Sequence, residues 1–81
     1  MAELILVKDQ VHTFPKQLAK HFSVFVQKGE AEILYRLENG ETNGIRMITG
    51  DKQSWNDLTP IANFEFTSHS DSCVIHYHID H

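Results

Sequence analysis

Alternation of apolar and polar residues at every second position is the feature that most constrains the fold of this chain. It runs through four segments, at 22–27, 31–38, 61–67 and 73–80. Successive side chains of a β-strand point to opposite faces, so each segment predicts a strand with one apolar face. Turn-forming residues separate the segments, and we expect roughly six or seven short strands and no amphipathic helix. The sequence therefore predicts an all-β fold, a small antiparallel β-sandwich or jelly-roll-like domain.

The first two alternating segments predict a β-hairpin, because only Lys28-Gly29-Glu30 separates them. Two Asn-Gly pairs, Asn39-Gly40 and Asn43-Gly44, predict tight turns after the second of these strands. The apolar side chains of the alternating segments should form the core. Those expected to be largely buried are Phe22, Val24, Val26, Ile33, Tyr35, Leu37, Phe64, Phe66, Ile75 and Tyr77.

The chain should form a single domain over residues 1–81, with the main sheet region at 22–79. Residues 1–21 are expected to hold one N-terminal strand, Glu3–Val7, followed by an irregular connection. Pro15 lacks a backbone N–H and disfavours a strand there, so a single helical turn at Lys16–Lys20 is expected instead.

Because the chain is small, its own core is expected to provide only marginal stability. A domain of 81 residues buries only about 60–65% of the surface of its unfolded chain. Small domains often gain stability from disulfides, metals or self-association. Because Cys73 is the single cysteine, an intramolecular disulfide is excluded. Metal binding or self-association is left as the expected support.

The charge pattern argues against nucleic acid and membrane as partners. Eleven acidic residues outnumber seven basic ones, and the basic residues are scattered along the chain. Nucleic-acid binding normally requires a dense positive surface. No apolar run approaches the roughly 20 residues that span a bilayer, and the N-terminus does not resemble a signal peptide. We therefore expect a protein made in a reducing cytoplasm.

The C-terminal stretch CVIHYHIDH contains the candidate metal ligands. His76 and His78 should lie on one face of the last strand, about 6.5–7 Å apart. One chain offers only this pair, with Asp80 and His81 as additional donors, whereas a catalytic zinc site has three protein ligands. A metal site at His76 and His78 is therefore expected only where a symmetric oligomer supplies further histidines. The alternative is a solvated strand face.

The other reactive residues favour a structural interpretation. Cys73 could act as a nucleophile with His69 or His76 as its base. However, it shares a strand face with Ile75 and Tyr77, which predicts a buried and unreactive thiol. The sequence contains no phosphate-binding loop and no paired carboxylate motif. It predicts a protein that is not an enzyme and carries no cofactor.

Three stretches, taken in order, resemble small structural proteins of tailed bacteriophages with a β-sandwich fold. They are FSVFVQKGEAEILYRLENG, then DLTPIANFEFTS after Trp55, then SHSDSCVIHYHI. The resemblance spans Phe22 to Tyr77 and implies a capsid-decoration (cement) or tail-associated protein of the virion. It further implies a homotrimer, with a dimer as the alternative, that binds copies of itself and a larger viral assembly.

Two other functions stay open at the sequence level. One is a small phage-encoded inhibitor that binds a host defence protein, a role that suits an acidic chain of this length. The other is a metal-binding, cupin-like protein that uses His76, His78 and a third ligand.

Overall fold

A computed structural model describes residues 2–16 and 20–80. Nearly all of them belong to β-strands or to short turns between strands. The strands are β1 (Ala2–Val7), β2 (Val11–Phe14), β3 (His21–Lys28), β4 (Glu30–Leu37), β5 (Thr42–Ile48), β6 (Lys52–Trp55), β7 (Ile61–Ser68) and β8 (Ser72–Asp80). Among the described residues no helix is long and apolar enough to cross a membrane.

The strands form two antiparallel four-stranded sheets. The first sheet has the order β1-β8-β3-β6 and the second has the order β2-β7-β4-β5. Each sheet turns one face towards the other and the opposite face towards solvent, so alternating side chains enter a shared core. The predicted fold class, a small antiparallel β-sandwich or jelly-roll-like domain, is confirmed.

Aromatic side chains dominate the core between the sheets. Phe22 on β3 is the central residue, and its ring centroid lies 4.8 Å from that of Phe64 and 6.1 Å from that of Phe66. Ser68 is the one fully buried polar residue of the described chain. The predicted core is confirmed, although Tyr35, Leu37 and Tyr77 pack at its margin and are only partly buried. The core residues that the pattern did not predict include Leu6, Phe14, Ala31, Met47, Leu58 and Ile61.

The hairpin predicted for the first two alternating segments is wrong. β3 pairs with β6 and β8, whereas β4 pairs with β5 and β7, so the chain passes from one sheet to the other between them. Gly29 makes this corner with a positive φ of 96°, and a Cβ there would lie 2.5 Å from the carbonyl oxygen of Ser72. Alternation identifies the buried face of a strand but not its partner, and the two strands bury their faces from opposite sides of the core.

The two Asn-Gly pairs behave differently. Asn39-Gly40 forms the predicted turn between β4 and β5, and Gly40 has a φ of 95°. The second predicted turn, at Asn43-Gly44, is wrong because both residues belong to β5, where they pair with Tyr35 and Leu34. A turn four residues earlier has already reversed the chain, so the second pair extends the returning strand.

The N-terminal region contributes more than the predicted single strand. The expected N-terminal strand is present as β1, at one edge of the first sheet, but Val11–Phe14 forms a second strand, β2, at the edge of the second sheet. The predicted irregular connection is therefore wrong over these four residues. Phe14 is 7% exposed, and its ring packs between the sheets, 5.0 Å from the Phe66 ring and 4.9 Å from the Tyr77 ring between centroids. The helical turn expected at 16–20 falls mainly on residues 17–19, which lie outside the described chain.

Candidate functional site

The outer faces of the two sheets differ in chemistry. The second sheet presents ion pairs: Arg46 donates its Nε–H to Glu30 at 3.0 Å, and His69 Nε2 lies 3.4 Å from a carboxylate oxygen of Glu32. The hydrogen bond from Arg46 lowers the pKa of the Glu30 carboxyl below its usual range. These groups are partly exposed, and such surface pairs contribute little to folding stability. They make the middle of this face polar, and its exposed apolar side chains, Val11 (52%) and Ile48 (57%), lie apart on the two edge strands β2 and β5.

The first sheet, in contrast, groups its exposed apolar side chains at one edge of its outer face. Ile5 and Val7 on the edge strand β1 are 60% and 59% exposed. Ile5 lies directly opposite Val74 of β8, which is half-buried and points the same way. We call Ile5, Val7 and Val74 the edge patch. Large β-branched side chains grouped on an exposed edge strand are typical of a surface that another protein covers.

A row of four side chains crosses the same outer face from one edge to the other. The strand register places Glu3, His76, Phe25 and Lys52 side by side on β1, β8, β3 and β6. His76 Nε2 lies 3.5 Å from a Glu3 carboxylate oxygen and also contacts the side-chain oxygen of Gln27. The ammonium of Lys52 lies 5.7 Å from the centroid of the Phe25 ring. We call these four residues the cross-sheet row.

An open depression of about 600 Å³ lies beside the cross-sheet row, over β3 and β6. Its polar groups come from Lys52, His76 and the paired residues Ser23 and Ser54, and the Phe25 ring supplies an apolar wall. Val24 and Gln53 complete its lining. The depression lies outside the sandwich, because the space between the sheets is filled by the aromatic core.

The two predicted metal ligands, His76 and His78, project from the outer face of β8. The buried Cys73 and Ile75 point to the opposite side. His76 is held between Glu3 and Gln27, and His78 is exposed opposite Ser23. Within residues 2–16 and 20–80 no three histidine, cysteine or acidic side chains come together. His81 lies outside this part, and the metal site across a symmetric oligomer stays a prediction.

Cys73 is fully buried, as its position on the apolar face of β8 predicted. Burial raises the pKa of its thiol, and a hydrogen bond with Ser68 only partly opposes this. Thiols react as thiolates, so both the burial and the raised pKa suppress the reactivity of Cys73.

We expect a thiol-specific disulfide reagent to modify Cys73 of the native protein at least about 100-fold more slowly than the urea-unfolded chain, because modification requires the core to open. Stopped-flow absorbance of the released thiol measures both rates. Equal rates in the two states would contradict the burial of Cys73.

Comparison with known proteins identifies the fold and matches no family. No family model matches the sequence, and no curated protein matches it significantly. Among solved structures, the cupin domain of Drosophila melanogaster CENP-C is similar over 96% of this chain, with a TM-score of 0.77 and 12% identity. Drosophila CENP-C bound to CAL1 is similar with a TM-score of 0.76 and 10% sequence identity. Fe(II)-HppE with the alternative substrate (S)-1-HPP is similar over 98% of this chain, with a TM-score of 0.70 and 12% sequence identity.

These similarities establish a cupin-like fold. The chain spans 58% and 59% of the two CENP-C chains and 40% of the HppE chain. At such identities the likeness concerns the arrangement of strands alone.

Sequence reasoning found the histidines but missed the cross-sheet row and the edge patch. The row unites residues from four strands that are distant in sequence, so it depends on a register that alternation does not specify. The sequence did contain a signal for the edge patch, the uninterrupted apolar run Leu4-Ile5-Leu6-Val7. A strand with one solvated face is expected to alternate apolar and polar residues, so this run places apolar side chains on both faces.

Proposed function

We propose that this chain is a non-enzymatic interaction protein that assembles with copies of itself through the edge patch, at the β1 edge of its first sheet. The observation that carries the proposal is the edge patch, in which Ile5 and Val7 are more than half exposed on a strand at the sheet edge. Burying such side chains between two copies would remove apolar surface from water, which is the main favourable term in protein association.

The position of the patch supports association at this edge. β1 pairs with β8 on one side only, so its other side presents backbone groups that a further strand or loop can bind. Edge strands that stay free usually carry charged residues or proline on their exposed face. β1 carries one charged residue there, Glu3, but its other outward side chains are Ile5 and Val7, which suits an edge that is covered in the functional state.

The small core supports the same proposal. Domains near this size have limited stability from their own apolar burial. Self-association would add burial that one copy cannot provide. The stoichiometry we propose is the homotrimer implied by the phage resemblance, with a dimer as the alternative.

One structural neighbour is compatible with an interaction role: it is CENP-C in complex with CAL1, a protein with a similar fold bound to another protein. We place the assembly in a virion, as a capsid-decoration or tail-associated component, on the strength of the sequence resemblance.

Particle fractionation tests the virion setting. A decoration or tail-associated protein should sediment with purified particles at a constant copy number and should resist washing. Recovery only in the free protein fraction would contradict the virion role. It would favour the alternative in which the chain is an inhibitor of a host defence protein.

Metal binding is the second candidate function, because the fold is cupin-like. Its ligands in this chain would be His76 and His78 on the outer face of β8. Metal analysis of protein purified without chelators or an affinity tag tests it, with the double variant His76→Ala/His78→Ala as the control. A transition metal at a constant ratio to the parent chain, lost from the double variant, would favour this candidate over the simple interaction role.

A further inference from the structure

We propose that the depression over β3 and β6 binds a small aromatic carboxylate. The edge patch lies on β1 and β8, towards the opposite edge of the same outer face. The whole depression belongs to one copy, so this site does not depend on the proposed self-association. The inference rests on three features of the depression: an uncompensated cation, free hydroxyl groups and an accessible aromatic ring.

The cation is the ammonium of Lys52. No carboxylate of the described residues lies within 4.0 Å of it, and it rests over the Phe25 ring instead. The neighbouring Asp51 is occupied, since its carboxylate accepts a hydrogen bond from the backbone N–H of Ile48 at 2.9 Å. The outer faces of β3 and β6 carry no aspartate or glutamate, although the chain contains eleven acidic residues. This surface therefore favours an anion.

The hydroxyl groups come from Ser23 and Ser54, which face each other in the register of β3 and β6. Neither hydroxyl has a hydrogen-bond partner among the described residues, so both are free to donate. A carboxylate has two oxygens that accept several hydrogen bonds, and here it would receive them from hydroxyl groups next to a lysine. Charge-assisted hydrogen bonds of this kind are stronger than neutral ones.

The ring of Phe25 would contact the aromatic part of the ligand. It is half-buried and faces the depression, and the His76 ring lies 6.4 Å away between centroids. Aromatic pairs prefer offset or edge-to-face contact, which an open wall of this kind permits. The volume of about 600 Å³ is well within the usual range for small-molecule sites.

Titration of the ¹⁵N-labelled protein with phenylacetate tests the proposal. We expect saturable amide shift changes centred on Ser23, Phe25, Lys52 and Ser54, with a dissociation constant on the order of 0.1–1 mM for so small a ligand. Phenylacetamide, which keeps the ring but lacks the charge, should bind at least about 10-fold more weakly.

Two lysine variants assign the effect to the site. Lys52→Gln should weaken phenylacetate binding at least about 10-fold, since it removes the one cation of the depression. Lys8→Gln, in the exposed turn after β1, should leave it unchanged. The proposal is overturned if the shifts are spread over the surface, if the amide binds equally well, or if the two variants behave alike. Because a monomer also contains the whole depression, failure of self-association would not affect these results.

Discussion

Replacing Phe22 by alanine should destabilise the protein by about 3–5 kcal/mol, the largest effect expected of any single substitution here. Phe22 is 1% exposed, and its ring packs against aromatic rings from both sheets. Alanine would leave a cavity between the sheets that the surrounding strands cannot close. A domain of this length has a total unfolding free energy of roughly 4–12 kcal/mol, so the variant would lose much of its stability.

Phe25→Ala is the matched control for this substitution. Phe25 is the same residue type on the same strand, but it points to the outer face. Its removal should cost less, about 1–2 kcal/mol, because its partly buried ring lies on the outer face and leaves no cavity between the sheets. Urea unfolding followed by tryptophan fluorescence measures both variants, and Phe22→Leu provides a milder core change if Phe22→Ala fails to fold. Equal losses from Phe22→Ala and Phe25→Ala would contradict the assignment of the two strand faces.

The sequence predicts which side chains are buried, but it does not predict which strands pair. Alternation placed Phe22 and Phe64 in the core and Cys73 on the buried face of the last strand, because period-two patterning reports burial directly. It could not show that β3 and β4 belong to different sheets, since each buries one face in either arrangement. It also missed Leu58, which lies in a connection outside any alternating run and yet is 1% exposed.

The candidate site was less accessible to sequence reasoning than the core. The proximity of His76 to Glu3 and Gln27, and of Lys52 to Phe25, results from strand pairings between distant parts of the chain. The free serine hydroxyls of the depression are likewise defined by register. Composition and spacing predicted which residue types were available, and tertiary pairing decided which of them meet.

Replacing Ile5 by aspartate should weaken self-association by at least about 100-fold. The substitution removes an apolar side chain from the centre of the edge patch and introduces a charge that burial between copies would desolvate. The fold of one copy should be preserved, because Ile5 is 60% exposed and points away from the core. Circular dichroism would check this before the association is measured.

Val11→Asp is the matched control for this change. Val11 is 52% exposed on β2, the edge strand of the second sheet, so the substitution adds the same charge to the opposite sheet. Its association should equal that of the parent protein. If Val11→Asp and Ile5→Asp dissociate the protein equally, the effect is one of net charge, and the edge patch is not the interface.

The mass in solution, measured by light scattering at tens of micromolar protein, decides whether the edge patch joins copies of this chain. We expect the parent chain to form an oligomer with a mass three times the 9.3 kDa of one copy. Val11→Asp should retain this oligomer, and Ile5→Asp should reduce the mass to 9.3 kDa. A mass of two copies with the same response to the variants would keep the interface and correct the stoichiometry to a dimer. A parent protein that stays at 9.3 kDa would contradict self-association through the first sheet.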